Sequence, residues 1–176
     1  MVYEKVVKFQ EQFDANDNEI INRGGCGVVA DAYCKLSEKE TGETPNVWLL
    51  QRVASTIPDF FDTHYDFYHL MTEIVPGVLS DSAGNYPITD FNICNISGKV
   101  LTEAITEDPD NFYAGYYIAK MPKSILDEIL AEDNWNGRFV MSTYNKGKLH
   151  KAANKAFGFE VKVKYLEESE LNIIDF

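Results

Sequence analysis

Cys26, Val29, Ala30, Tyr33 and Cys34 recur at i, i+3, i+4, i+7 and i+8, the spacing that lines one buried face of an α-helix. Residues 35–40 form its polar tail, and the Gly42 and Pro45 of the next five residues stop it. Upstream, Val6, Val7, Phe9 and Phe13 stand among polar residues and predict a short helix within residues 1–23. The run Asp14, Ala15, Asn16, Asp17, Asn18 is expected to end that helix, and Arg23, Gly24 and Gly25 then make a turn into the Cys26 helix.

The pattern then changes period. Val47, Trp48, Leu49 and Leu50 predict a buried strand, residues 55–66 a loop, and residues 67–75 a second strand. Pro76 and Gly77 turn the chain into a third strand at Val78 and Leu79, which ends in the turn residues 81–85. Residues 93–105 predict a short strand and then a helix from 99, and residues 107–111 mark a candidate subdomain boundary. Beyond it come a strand (112–119), a helix opened by Pro122 (123–131), a strand (138–142), a basic helix (148–157) stopped by Gly158, and a last strand (159–166). The fold class is therefore α+β, expected as one domain with a Cys-bearing helix on an antiparallel sheet and a C-terminal αβ extension.

Composition narrows the options. With 176 residues, 45% of them apolar, there is material for one packed domain and too little polarity for disorder. No apolar run approaches the ~20 residues of a membrane span, and the first residues lack the basic-then-apolar order of a signal peptide. Three cysteines without a CxxC pair point to a reducing compartment, the cytoplasm. A net charge of −12 opposes binding to nucleic acid or membrane surfaces. One stretch departs from it: residues 138–164 hold Arg138, Lys146, Lys148, Lys151, Lys155, Lys162 and Lys164 against the single acid Glu160. Such a strip either faces solvent or holds an anion. No metal site and no bound cofactor is expected, since HExxH, finger spacings and phosphate loops are all missing.

Cys26 begins its predicted helix, where unpaired N–H groups and the helix dipole stabilise a thiolate. A base on another element, oriented by an acid, would complete a nucleophilic site; His69 lies in the second strand and Asp81 at the end of the third. A two-residue Pro-Gly turn alone would set these two on opposite sheet faces, so a bulge or an odd loop is required between them. The order of cysteine at a helix start, then histidine, then aspartate on successive strands resembles papain-fold cysteine hydrolases with the transglutaminase-like arrangement. The runs 24–30 (Gly24, Gly25, Cys26, Gly27 among them) and 81–84 carry the likeness, over residues 20–90. It implies a papain-like core and a Cys26–His69–Asp81 triad acting on a peptide, amide or thioester substrate. The oxyanion-hole glutamine of that family would fall at Ile20; Asn22 with the Cys26 backbone N–H is expected to stand in for it. Cys34 is expected to be core.

Two other readings stand beside this one. Residues 139–145, ending in Asn145, then the helix 148–157, then Gly158 and Phe159 resemble the closing half of GNAT-type N-acetyltransferases. That likeness implies acetyl-CoA at residues 119–124, where the family's glycine-rich pattern is missing and Lys120 and Lys123 supply charge, with Tyr144 or Tyr165 as general acid. The third reading is a non-enzymatic acidic protein whose carboxylate runs 103–110, 127–133 and 167–170 meet a basic protein partner.

Overall fold

A computed structural model describes residues 1–22, 25–53, 65–107, 112–132 and 143–159. The chain runs α1 (Val2–Gln10), α2 (Ala15–Asn22), α3 (Cys26–Thr41), β1 (Asn46–Val53), β2 (Tyr65–Val75), β3 (Val78–Ser80), β4 (Asn85–Pro87), a 3₁₀ turn (Ile88–Asp90), β5 (Asn92–Cys94), α4 (Gly98–Glu107), β6 (Gly115–Met121), α5 (Lys123–Glu132) and α6 (Thr143–Phe157). The strands form one sheet in the order β4-β3-β2-β1-β6-β5, antiparallel except for the β5–β6 pair. The class is α+β, as the patterning predicts.

Helix α3 is the centre of the packing. The expected single face is buried, but so is most of the circumference: eleven of its residues are inaccessible, Val28, Ala32 and Leu36 among them. Cys26, Ala30 and Cys34 pack on the sheet with Val47, Leu49 and Leu70. The other side meets α1 and α6, where Phe9 lies edge-on to Tyr33 at 5.5 Å and close to Phe157 at 5.5 Å. A helix enclosed on both sides loses its polar face, so the one charge buried there, Asp31, is held by Lys35 at 2.6 Å and Lys123 at 3.5 Å. Gly42, at φ +77°, takes the left-handed position that ends the helix.

Two expectations are corrected. The acidic run after Phe13 does not end a helix but opens α2: Asp17 N–H donates to Asp14 Oδ1 at 2.8 Å and Asp14 N–H to Asp17 Oδ2 at 3.3 Å. The segment beyond 107–111 does not begin as an extension beside the core. Its first strand, β6, pairs with β1 along seven residues and lies inside the sheet. A short, largely apolar strand reads the same wherever it pairs, so position in the chain was a poor guide to position in the sheet. β4 was not expected; its Pro87 suits an edge strand, where no ladder bond is lost. The expected strands at 138–142 and 159–166, and nearly all of the 55–66 loop, lie outside the described residues.

Helix α6 turns Leu149, Ala152, Ala153 and Phe157 inward, and Lys148 pairs with Asp17 while Lys151 and Lys155 face solvent. This part of the basic strip is a solvated helix face. Gly98, the first residue of α4, sits so close to β1 that an added Cβ would lie 2.9 Å from Leu49 Cβ and 3.3 Å from Met121 Cε. Gly98→Ala is expected to lower the unfolding free energy by about 1–3 kcal/mol through overpacking. An unchanged urea midpoint would show that α4 does not lean on β1 in this way.

Candidate active site

The site is assembled from the N-terminus of α3 and the β2–β3 hairpin. Gly25 caps α3 without any side-chain hydrogen bond, and Cys26 opens the first turn, where backbone N–H groups have no acceptor within the helix. His69 stands on β2 opposite Leu50 of β1. The hairpin holds the irregularity that the sequence required: Val75 pairs with Val78 but Thr72 with Ser80, so three steps along β2 match two along β3. This one-residue slip reverses the side-chain parity between the strands, and His69 and Asp81 come to the same side. Their Nε2 and Oδ2 atoms are 2.7 Å apart, both residues being buried.

Asp81 is held from several directions. Its Oδ1 accepts from the N–H groups of Ala83 (2.8 Å) and Gly84 (2.9 Å), the local turn chemistry of an aspartate after a strand. Its backbone carbonyl accepts from the Tyr33 hydroxyl (2.8 Å) and from Gln10 Nε2 (2.9 Å). Residues of α1 and α3 thus fix the loop that carries the acid. Neither Gln10 nor Tyr33 was marked by the sequence beyond helix or core membership, because their partners lie 71 and 48 residues away.

Burial on its own would push the His69 imidazolium toward its neutral form. The hydrogen bonds and charges of Asp81 and Cys26 overcome that and raise its pKa to about 10. Nε2 is taken by Asp81, and at neutral pH the buried imidazole carries its proton. The other cysteines differ: burial pushes the Cys34 thiol up to about 12, with Lys123 opposing, and burial also raises that of Cys94. The backbone of Asn22 lies in the last turn of α2, and its side chain lies outside the described residues. Gln51, the next residue after Leu50, is fully buried, and its amide has no hydrogen-bond partner among the described residues.

A cleft of about 400 Å³ reaches the imidazole–carboxylate pair from the outer face of the sheet, between Leu50, Met71, Tyr86 and Tyr116. A larger hollow of about 670 Å³ lies elsewhere, among Trp48, Cys94, Ser97 and Lys120, and touches none of Cys26, His69 or Asp81. At the loop that the acetyltransferase likeness assigned to acetyl-CoA, Lys123 is bound to Asp127 (2.5 Å) and Asp31, and Lys120 lies over the Trp48 ring at 5.4 Å. Asn145 and Tyr144 fall in α6, and Tyr165 lies outside the described residues. Among the described residues no group of three or more His, Cys, Asp and Glu side chains is placed to hold a metal ion, and no helix is long and apolar enough to cross a membrane. No protein-family model, curated protein or solved structure matches the chain.

The raised pKa of His69 has a consequence for stability. A group that binds its proton more tightly when folded contributes fully below its unfolded pKa of about 6.5 and loses that contribution as pH rises toward about 10. The unfolding free energy of the wild type is expected to fall across this window more steeply than that of His69→Gln. Parallel pH profiles of the two proteins would contradict the protonated imidazole.

Proposed function

We propose that this chain is a cysteine-dependent hydrolase or acyl transferase acting on an amide or thioester. The observation that carries the reading is the buried His69–Asp81 pair, Nε2 to Oδ2 at 2.7 Å, with Cys26 at the start of α3 among the groups that raise the pKa of the imidazole. This is the order of groups that a thiolate nucleophile needs: a proton holder within reach and an acid that orients it.

In this reading the Cys26 sulfur attacks the acyl carbon, and the Cys–S–C(acyl) bond forms as the carbon–nitrogen (or carbon–sulfur) bond breaks. His69 gives its proton to the departing amine or thiol. A water, or an acceptor amine, then gives a proton to His69 as it attacks the thioester, and the thiolate is released with the imidazolium restored. Asp81 holds the ring with Nδ1 toward the sulfur throughout and stabilises its positive charge. The negative oxygen of the tetrahedral intermediate is met by first-turn N–H groups of α3, including that of Cys26. The papain-like core suggested by the sequence belongs to the same proposal; a cysteine-bearing helix laid on a largely antiparallel sheet supports it.

Iodoacetamide at pH 7 is expected to alkylate Cys26 well ahead of Cys34 and Cys94. His69→Gln should slow that reaction about tenfold, since a neighbouring positive charge favours a thiolate nucleophile. Peptide mapping by mass spectrometry reads both quantities. Equal labelling of the three cysteines, or a Cys26 rate indifferent to His69, would remove the basis for a thiolate mechanism.

A further inference from the structure

The cleft beside His69 has a composition of its own. Its floor is apolar, Leu50 and Met71, and continues into the packed cluster of Trp48, Leu79 and Ile118. Its walls are aromatic: Tyr86, Phe91 and the exposed Tyr116. Its charged lining residues are Asp81 and Asp90 against the single cation His69, and Asp81 is already satisfied by His69 and two backbone N–H groups. Asp90 is exposed, in the 3₁₀ turn that precedes β5. Arg52, the cross-strand neighbour of Tyr116, does not belong to the lining.

We infer that this cleft is a binding site for a cationic side chain, an aliphatic stem ending in an ammonium or guanidinium group. The inference rests on the cleft alone and not on the proposed hydrolase or transferase reading. A lysyl or arginyl chain lays its methylenes on Leu50 and Met71 and sets its head against aromatic faces and the Asp90 carboxylate. The cleft opens at His69 and Asp81, and Cys26 is not part of its lining.

The test uses the full chain with Cys26→Ala, so that no chemistry can consume the probe. N-acetyl-lysine methylamide and its isosteric norleucine counterpart are titrated separately, and the Met71 methyl and Tyr116 ring resonances are followed by NMR. The lysine compound is expected to bind about three- to tenfold more tightly, the effect of a partly exposed cation–π contact together with one ion pair. Asp90→Asn should remove most of that preference. Equal binding of the two compounds, a preference untouched by Asp90→Asn, or shifts confined to other residues would each overturn the assignment. Alkylation of Cys26 keeps the two readings apart. A lysine preference with an inert Cys26 leaves a cation-binding cleft without the catalysis. A reactive Cys26 with no preference leaves the catalysis without this site.

Discussion

One extra residue in β2, between Thr72 and Val75, is the constraint on which the site depends. In a regular hairpin the side chains of His69 and Asp81 would alternate to opposite faces, and no rotamer could join them through the sheet. The slip costs a stretch of regular ladder and yields a buried 2.7 Å contact between imidazole and carboxylate. Such a contact is tolerable in the interior only if the acid is satisfied at its other atoms, and here it is. Two turn N–H groups hold Oδ1, while Tyr33 and Gln10 hold the carbonyl of the same residue. The hairpin, α1 and α3 therefore meet at Asp81, and the packing of the helices and the geometry of the site are one arrangement.

The same helix carries two buried cysteines in different surroundings. Cys34, two turns into α3 and fully buried between helix and sheet, has its thiol held neutral by desolvation. Cys26 is nearly as buried, but it opens the helix, where the first backbone N–H groups have no acceptor within it, and it contributes to the raised pKa of His69. Burial alone does not decide reactivity; what matters is which groups replace water around the sulfur. His69 makes the point from the other side. Its desolvation opposes the proton, and two favourable partners outweigh it.

Two of the molecule's hollows divide size from chemistry. The larger one is bounded by lysines, Lys123 among them already committed to Asp31 and Asp127, and by the aromatic face of Trp48. The smaller one adjoins the imidazole and carboxylate and combines an apolar floor, aromatic walls and an unneutralised acid at Asp90. In the proposed reading a substrate must both reach a reacting group and be held by complementary surface, and the smaller hollow is the one that touches His69. Volume by itself would have favoured the other hollow.

The sequence alone determined the elements whose cause is local. The period of Cys26, Val29, Ala30, Tyr33 and Cys34 defined α3 and put a cysteine at its start, and alternation with turn residues marked β1, β2 and β3. It also determined the conditional statement that His69 and Asp81 could meet only across an irregular hairpin, since side-chain parity follows from residue counting. What it left open depends on partners far along the chain. Nothing in residues 112–121 announces that β6 pairs with β1, because a short apolar strand satisfies its hydrogen bonds equally well on any free edge. Nothing near Tyr33 or Gln10 announces a carbonyl in the turn after β3. Nor does the acidic run at 14–18 say whether it ends one helix or caps the next, until the reciprocal bonds of Asp14 and Asp17 decide it. Local patterns act over one turn or one strand, whereas pairing edges, buried hydrogen bonds and the walls of a cleft are settled by which surfaces exclude water together, and only the tertiary structure decides that.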